Sequence, residues 1–546
     1  MRLVHLCAVT ALVASPQSFV AATGGNNFTR RCSRLIETFK QKDVKVLFSG
    51  YVTRGTNLTF PDGDPSCTND VVVLADMCRL QLNITTSPVS NVIADVWMPV
   101  DWREKGKRFA MTGNGGSSGC VMWEDVAYTA ALGFATVGHN NGHDGMSGLP
   151  FLNRPETVKD FAYRALGVST TIGKIATNFF YQDTLTTSYY WGCSGAGRQG
   201  MVAAQRYPEE FNGIIAASPA AQWNRLAASI MVHWYTVGPV DSPRYLTFPQ
   251  WQAVDAEVLK QCDGIDGVLD NVLEDPLKCQ PHFEAMLCTD GQTWEFNQCL
   301  TVAQVEAVKR IYQPVYGNKG RYVYHGYQPG NDPILAFSQV LGAPSEIGYD
   351  YLRYAYYSDA SWTLPATEDD FLAVIDDLLA RDPFDANADN PDLTRLKNAG
   401  HKLLSYHGGT DGFYTYAGTQ DLYDATARNM SLSSHDLDDF YRFFMIPGLG
   451  HCAGGNGAWY IGGPSQYGSG GTGFDPQESL LIKMVKWAED GVPIDTIKGY
   501  SVDETTGALA GAVREHCRHP MRNYYKGTGD PALPSSWECR FSSLYP

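Results

Sequence analysis

Three residues whose types could together perform nucleophilic catalysis each lie in a glycine-rich turn of the sequence. Ser194 lies within WGCSGAG, Asp411 within GGTDG and His451 within PGLGH. A serine hydroxyl becomes a nucleophile when a histidine accepts its proton and an aspartate orients that histidine. The order serine, aspartate, histidine along the chain therefore predicts a catalytic triad made of these residues.

The turn around Ser194 departs from the usual nucleophile motif at one position. That motif is G-x-S-x-G, whereas Ala196 stands where the last glycine is expected and Gly197 follows it. Because alanine is small, we expect the turn to form. Taken alone, this motif is also compatible with an ordinary glycine–serine turn, and Asp411 before a glycine is compatible with a simple turn.

The surroundings of the late histidines separate one candidate base from the others. Besides His451, the histidines after residue 411 are His435, His516 and His519. His435 lies in a polar run, and the other two flank Cys517 in a polar tail. His451 alone follows a predicted strand, so we interpret it as the base.

Glycines near the candidate nucleophile could supply the N–H donors of an oxyanion hole. Gly195 follows Ser194 directly and would supply one donor. The loop GNGG at 113–116 follows a predicted strand, and its Gly115 and Gly116 are candidates for the second donor. A flexible turn is the alternative, but the position of the loop before the nucleophile strand favours the functional interpretation.

Two cysteines adjoin the candidate catalytic residues. Cys193 precedes Ser194, and Cys452 follows His451. If the serine and the histidine are hydrogen-bonded, these cysteines lie close enough for a disulfide to be geometrically reasonable. The alternative is a free, nucleophilic Cys193, which would leave an odd cysteine in the chain.

Predicted strands and helices alternate on both sides of these turns. Strands that alternate with helices indicate a mostly parallel sheet with helices on both faces. The predicted strands are 108–112, 134–138, 188–191, 214–217, 402–406 and 441–446, and the predicted helices are 160–180, 197–206 and 479–489. The tail from about residue 531 shows no such pattern, and we expect it to be irregular.

A long segment without this alternation divides the chain. Residues 221–395 hold an acidic cysteine-containing loop, many tyrosines and tryptophans, and short polar helices. We interpret them as a lid over the sheet. The two parts of the catalytic domain are then 23–220 and 396–546, and 1–22 is a signal peptide.

The N-terminus, the cysteines and the sequons together predict secretion. Arg2 precedes an apolar run, and small residues reach Ala22, as in a cleaved signal peptide; a buried N-terminal helix is the alternative. One of the 13 cysteines, Cys7, lies in this segment, which leaves an even 12 for disulfides. The asparagines of four sequons are Asn27, Asn57, Asn83 and Asn429.

The composition excludes some partners. The net charge of −16 argues against binding nucleic acid or an anionic membrane. After the signal segment, no stretch of the sequence is apolar enough and long enough to span a bilayer. We therefore expect a soluble extracellular protein.

The combination of GCS, an aspartate after a strand, and HC is similar to the CS-D-HC signature of the fungal feruloyl esterase/tannase family. The similarity extends to GNGG at 113–116, GHN at 138–140, NPDL at 390–393 and PGLGHC at 447–452. It implies an α/β-hydrolase fold whose mostly parallel sheet carries a lid inserted between the serine and aspartate strands. The composition change at 221–395 falls where that lid is expected.

The same resemblance suggests how the other cysteines pair, since twelve cysteines allow too many connectivities to choose from sequence alone. Cys262 and Cys279 bracket the acidic loop and are expected to pair with each other. The pairs that the resemblance suggests are Cys32–Cys78, Cys67–Cys120, Cys288–Cys299 and Cys517–Cys539. The last two are also short-loop pairs.

The acidic loop CDGIDGVLDNV at 262–272 has the composition of a calcium site. Such a hard cation takes six to eight oxygen ligands. The candidates are side-chain oxygens of Asp263, Asp266 and Asp270 and backbone carbonyls of Val268 and Val272. The loop is similar to the structural calcium loop of the family and lacks the spacing of an EF-hand; an acidic surface turn is the alternative. We expect structural calcium and no redox cofactor.

The resemblance implies a secreted serine carboxylic-ester hydrolase that releases hydroxycinnamic acids such as ferulate from plant cell-wall esters, as in xylan, through an acyl-enzyme. The expected partners are small aromatic esters or feruloylated polysaccharide, and a homodimer is left open. The alternatives are a tannase acting on galloyl esters, a serine peptidase, and a non-catalytic binding protein of the same fold. Lid aromatics that could stack on the phenyl ring, although such residues more often form a core, are Trp234, Tyr235, Tyr351 and Tyr356.

Overall fold

The computed structural model of this chain describes residues 23–330, 342–503 and 505–542. The expected signal peptide at 1–22, with Cys7, lies outside the described residues.

The strands are, in chain order, β1 (Val44–Val52), β2 (Asn57–Thr59), β3 (Asp70–Val72), β4 (Met77–Ser87), β5 (Ser90–Pro99), β6 (Arg108–Thr112), β7 (Ala135–His139), β8 (Thr187–Cys193), β9 (Gly213–Ala217), β10 (Val315–Tyr316), β11 (Tyr322–Tyr324), β12 (Lys402–Gly408), β13 (Tyr441–Ile446), β14 (Thr496–Asp503), β15 (Ala508–Cys517), β16 (Met521–Tyr525) and β17 (Trp537–Phe541).

A nine-stranded sheet with the order β1-β4-β5-β7-β6-β8-β9-β12-β13 forms the centre of the molecule. From β7 to β13 neighbouring strands are parallel, whereas β1, β4, β5 and β7 pair as antiparallel neighbours. Almost every residue of the parallel strands is buried, as expected where both faces of a sheet are covered. The mostly parallel sheet of an α/β-hydrolase fold is thus present, with an antiparallel extension at one edge.

Parallel strands bring the candidate catalytic turns to one edge of the sheet. The carboxyl ends of β8, β12 and β13 lie at Cys193, Gly408 and Ile446. Ser194, Asp411 and His451 follow these ends within a few residues. In open α/β sheets this carboxyl edge is where ligand sites form.

Helices cover both faces of the sheet and fill the long segment between β9 and β12. The helix Gly195–Arg206 follows β8 and packs on β8 and β9. The predicted helix 160–180 begins with a π-helical turn, Asp160–Arg164, which joins the short helix Pro155–Lys159 to the helix Ala165–Tyr181. The α-helices are Thr23–Ser33, Leu35–Thr38, Trp123–Ala131, Pro155–Lys159, Ala165–Tyr181, Gly195–Arg206, Trp223–Val237, Phe248–Cys262, Trp294–Asn297, Val302–Ile311, Glu346–Asp350, Glu368–Ala380, Thr394–Asn398, Ala417–Asn429, Ser434–Leu437 and Leu480–Asp490.

The segment between β9 and β12 has hydrophobic cores of its own. Helices Trp223–Val237 and Glu368–Ala380 pack together and share one core with the π-helical turn Tyr351–Tyr356. Helices Phe248–Cys262 and Val302–Ile311 share a second core. The second core lies within the segment, whereas the first also includes Phe151, Val158, Phe161 and Tyr414 from outside it.

The expectation of an irregular tail is wrong for residues 537–541. The strand β17 pairs antiparallel with β16, and β14 pairs with β15. The sequence of β17, WECRF, alternates apolar and polar residues as a half-buried strand does, so the prediction missed a short signal that was present.

Six disulfides link the described residues, with Cα–Cα distances between 4.9 and 6.0 Å. They are Cys32–Cys78, Cys67–Cys120, Cys193–Cys452, Cys262–Cys279, Cys288–Cys299 and Cys517–Cys539. These are the pairs suggested by the sequence and the family resemblance. No helix within the described ranges is long and apolar enough to cross a membrane.

Candidate active site

Ser194 occupies a strained turn between β8 and the helix that follows it. Its φ of 68° and ψ of −124° lie in a region that side chains other than glycine rarely adopt. Its backbone N–H donates to Ala217 O at 3.0 Å, and its carbonyl accepts from Arg198 N at 2.9 Å. Bonds to both neighbouring elements hold this conformation, so the hydroxyl is presented above the carboxyl edge of the sheet.

The environment of Ala196 explains why the turn tolerates alanine in place of glycine. A Cβ at Gly192 or Gly113 would lie 2.6 or 2.7 Å from the Ala196 Cβ, so these glycines leave space for its methyl group. A Cβ at Gly197 would lie 2.0 Å from Ala217 O. The glycine that this turn requires for close packing on β9 is therefore Gly197.

His451 lies between the other two members of the predicted triad. Its Nε2 is 2.8 Å from Ser194 Oγ, and its Nδ1 is 2.7 Å from Asp411 Oδ2. Asp411 is fully buried, and its Oδ1 accepts from the backbone N–H groups of Phe413 and Tyr414. This chain of hydrogen bonds lets the imidazole accept the serine proton while its other nitrogen donates to the carboxylate.

Asp411 contacts a second imidazole that the sequence analysis did not single out. The Nε2 of buried His407 lies 3.1 Å from Asp411 Oδ2 and 3.2 Å from Tyr414 O, while its Nδ1 lies 2.8 Å from Thr419 Oγ1. Burial alone would raise the pKa of Asp411, but charge and hydrogen bonds from His451 and His407 lower it well below the usual range. Asp411 therefore stays ionised.

The Tyr414 hydroxyl is a second neighbour that the sequence analysis missed. It lies 3.1 Å from Ser194 Oγ and 2.8 Å from Ser218 O. Burial and the charge of Asp411 raise the pKa of Tyr414 far above its ordinary value, so the hydroxyl stays protonated. It fixes the position of the nucleophile relative to β9.

The predicted oxyanion glycines line the same cavity as Ser194. A Cβ at Gly195 would lie 2.7 Å from Gly116 N and 2.2 Å from Gly116 O, so the two loops meet at a distance that glycine alone allows. The Asn114 side chain donates to Cys120 O and His139 O and fixes the loop that contains Gly115 and Gly116. The loop is thereby held beside the nucleophile.

The disulfide Cys193–Cys452 joins the residue before the nucleophile to the residue after the base, with a Cα–Cα distance of 6.0 Å. Both cysteines are buried. The link fixes the separation of the two turns that carry Ser194 and His451. A free thiol at Cys193, the alternative from the sequence, is absent.

A cavity of about 320 Å³ opens at Ser194. Its apolar lining includes Trp223, Leu226 and Ile230 from one helix, Ile347 from a second helix of the 221–395 segment, and Phe413 from the turn after Asp411. The aromatic residues Trp234, Tyr235, Tyr351 and Tyr356, considered as a stacking wall, belong instead to the core of the lid or pack against it. Tyr351 has no exposed surface. The sequence could not separate these aromatics from Trp223, because all of them lie in apolar helical segments.

The acidic loop at 262–272 has the donor types of a calcium site, although no three Asp, Glu, His or Cys side chains of the described residues are grouped as metal ligands. Asp266 Oδ2 is buried without a hydrogen-bond partner of good geometry in the described part of the chain. Burial raises the pKa of Asp266 to about 6. An unpaired buried carboxylate oxygen fits a cation, with Val268 and Val272 carbonyls as further donors.

Some carboxylate oxygens in and beside that loop already have partners within the protein. Asp263 Oδ1 accepts from Asp270 N at 3.3 Å. Arg514 lies 3.4 Å from Asp270 Oδ2 and 2.7 Å from Glu274 Oε1. Burial raises the pKa of Glu274 to about 8. Arg514 thus supplies one positive charge beside this acidic cluster.

The sequon asparagines lie at the surface to different degrees. Asn27, Asn57 and Asn429 are exposed, whereas Asn83 on β4 is half-buried. The first three are therefore accessible to a glycan, and Asn83 is less so.

Comparison with known proteins agrees with this geometry. The family described as "Tannase and feruloyl esterase" matches residues 80–344 and 379–540. The chain is 38% identical over 538 residues to a probable feruloyl esterase B of Emericella nidulans. This alignment covers 98% of this chain and 99% of that protein. It is 39% identical over 517 residues to a probable feruloyl esterase B-2 of Aspergillus fumigatus, with 94% and 96% covered.

Solved structures show the same relationship. An esterase from Aspergillus oryzae superimposes with a TM-score of 0.89 at 37% identity, and feruloyl esterase B from the same organism with 0.87 at 36%; each match covers 94% of this chain and all of the other. A tannin acyl hydrolase from Aspergillus niger has a TM-score of 0.72 at 20% identity, with 95% of both chains covered. The last likeness is one of fold.

Proposed function

The chain belongs to the tannase and feruloyl esterase family and is a carboxylic ester hydrolase, and on that premise we propose that it releases hydroxycinnamic acids such as ferulate by serine catalysis. One observation supports this most: the hydrogen-bonded chain Ser194–His451–Asp411 opens into a cavity with apolar walls. The nucleophile and the space for an aromatic acyl group thus lie together.

In the proposed reaction, His451 Nε2 accepts the proton of Ser194 as Oγ attacks the ester carbonyl. The N–H groups of Gly195 and of Gly115 or Gly116 stabilise the oxyanion. Imidazolium then gives the proton to the leaving alcohol, and an acyl-enzyme remains. Water, deprotonated by the same imidazole, releases the acid and restores the serine. Asp411 stabilises the imidazolium throughout.

The cavity supports ferulate over gallate as the acyl group. Gallate carries three phenolic hydroxyls, each of which needs a hydrogen-bond partner when buried. The wall formed by Trp223, Leu226, Ile230 and Ile347 has apolar side chains, apart from the indole N–H of Trp223, and offers few such partners. Ferulate carries one phenolic hydroxyl and one methoxy group, so fewer of its polar groups lose water when the ring is buried against such a wall.

The remaining expectations belong to the same proposal. The protein is secreted after removal of 1–22 and carries glycans on some of Asn27, Asn57, Asn83 and Asn429. A calcium ion bound by the 262–272 loop would neutralise its carboxylates and stabilise the lid. It is given no part in the chemical steps.

The proposal is tested by hydrolysis of two matched methyl esters, ferulate and gallate, by the wild type and by Ser194→Ala. We expect the wild type to cleave ferulate with the higher kcat/KM and Ser194→Ala to lose at least about a thousandfold in kcat. A preference for gallate would overturn the acyl assignment and leave the mechanism standing. Full activity of a folded Ser194→Ala would overturn the mechanism.

A further inference from the structure

A second concavity lies beside the catalytic cavity and is separated from it by the Cys67–Cys120 disulfide. It has a volume of about 470 Å³ and is bounded by residues of β1, β4 and β5 and by the loop 59–69. Cys67, Cys120 and Val121 line both spaces. We call this second space the β1 groove. The shared residues form a common rim between the groove and the catalytic cavity.

The edge strand β1 presents apolar side chains to this groove in an unusual way. Its pairing with β4 shifts register between Val46 and Phe48, which is a β-bulge. Leu47 and Phe48 are consecutive, yet both line the groove and are 37% and 42% exposed. In a regular strand consecutive side chains point to opposite faces, so the bulge turns both toward the groove.

The Phe48 ring is held in place. Arg79 lies with its guanidinium 5.2 Å from the Phe48 ring centre and 4.9 Å from that of Phe60. Arg79 in turn forms a bidentate pair with buried Asp95. A Cβ at Gly50 would lie 2.8 Å from the Phe48 ring, so glycine makes room for it. The exposed aromatic surface is therefore pre-organised.

Polar groups that suit hydroxyls surround this aromatic surface. Asp62 and Asp144 are exposed carboxylates, and Asn69 and Gln81 add amide groups. Among the described lining residues, the cation is Arg79, whose charge is already paired with Asp95. Such a lining repels anions and offers hydrogen-bond acceptors beside an apolar ring, which is the chemistry of a neutral sugar ligand.

We propose that the β1 groove binds the carbohydrate chain that carries the ester, which makes it a subsite for the alcohol part of the substrate. This inference rests on the proposed esterase function. With the aromatic acyl group against Trp223 and Leu226, the alcohol side points away from the lid. A sugar chain leaving the cavity past Cys67 and Val121 then enters the groove.

The test compares two substrates that share the acyl group: methyl ferulate and a feruloylated trisaccharide from xylan. For Phe48→Ala, and for Asp62→Asn, we expect the kcat/KM ratio of trisaccharide to methyl ester to fall about five- to tenfold, mainly through KM. Phe541→Ala is the matched control, since Phe541 is 67% exposed and lies on β17. An unchanged ratio, or the same fall in Phe541→Ala, overturns the proposal.

A binding measurement separates failure of the groove from failure of the esterase function. Ser194→Ala is titrated with the same trisaccharide lacking its feruloyl group, followed by calorimetry. We expect binding that the double variant with Phe48→Ala weakens about fivefold or more. If the wild type cleaves no ferulate ester but this binding difference is present, the esterase proposal fails and the groove stands. If Ser194→Ala binds no trisaccharide, the groove proposal fails.

Discussion

The Nε2 of His407 lies 3.1 Å from Asp411 Oδ2, the same oxygen that lies 2.7 Å from His451 Nδ1. The carboxylate is therefore held between two imidazoles, that of His451 in the proposed triad and that of the fully buried His407. Because the groups around His407 Nε2 are acceptors and Thr419 can donate to Nδ1, the proton of His407 belongs on Nε2. His407 thus acts on the reaction by positioning Asp411.

Replacing His407 tests this positioning role. We expect His407→Ala to lower kcat on methyl ferulate about tenfold with little change in KM, because one charge-assisted hydrogen bond to Asp411 is lost. His407→Gln keeps an N–H donor and should recover most of kcat. Steady-state kinetics with the melting temperature of each variant provide the check. Equal kcat losses in the two variants, or a loss in KM alone, would contradict the role.

The hydrogen bonds of Glu489 lead to a prediction about the stability of the fold at low pH. It accepts from Arg108 Nε at 2.8 Å, Tyr189 at 2.7 Å and Thr187 at 2.6 Å, and so fastens the helix Leu480–Asp490 to the sheet. Partial burial raises the pKa of Glu489, but the hydrogen bonds from Arg108 and its neighbours lower it to about 2. The folded state thus favours the ionised form of this carboxyl.

Because the folded-state pKa is below the unfolded value, the stabilisation is complete above about pH 4.5 and is lost as the pH falls towards 2. We expect Glu489→Gln to reduce the free energy of unfolding by about 1–2 kcal/mol at pH 6, with the difference shrinking by pH 3. Urea unfolding at pH 6, 4 and 3 measures it. Exposed Glu104→Gln is the control. A Glu489→Gln difference that grows toward low pH would refute the assignment.

The proposed calcium site in the 262–272 loop leads to a prediction of metal-dependent stability. We expect a chelator to lower the melting temperature by several degrees and added calcium to restore it, since a ligand at a hundred times its Kd contributes about 2.7 kcal/mol. Asp266→Asn should abolish this response, because it removes a charged oxygen from the loop. The exposed carboxylate of Asp62 provides the control variant Asp62→Asn. If neither chelator nor calcium changes the melting temperature of the wild type, the calcium proposal fails, and Arg514 alone offsets the negative charge of the loop.

The sequence allowed the catalytic turns to be predicted because their signals are local. A run of apolar residues followed by a glycine-rich turn locates the end of a parallel strand, and three such ends carry Ser194, Asp411 and His451. Parallel pairing then brings them to one edge. The positions of the residues indicated the pairs Cys193–Cys452 and Cys262–Cys279, and the family resemblance suggested the other four.

Other features depend on contacts between distant segments. His407 lies inside β12, and its role depends on Thr419 from a later helix. The bulge that exposes Phe48 is a property of pairing between β1 and β4. The antiparallel strands at that edge carry mixed apolar and polar residues, so their register is set by their partners. The sequence pattern alone could therefore locate neither the contact of His407 nor the bulge beside Phe48.

The disulfide Cys193–Cys452 gives a last prediction, because it joins the two catalytic turns across 259 residues of sequence. Replacing both cysteines with serine should lower kcat on methyl ferulate about tenfold or more, since a displacement of about 1 Å between nucleophile and base is costly. The pair Cys288–Cys299, within the lid, is the control. Both double variants lose stability, so kinetics are compared well below each melting temperature. If the two variants lose kcat equally, the loss reflects general loosening of the fold, and the link between the turns has no special part in catalysis.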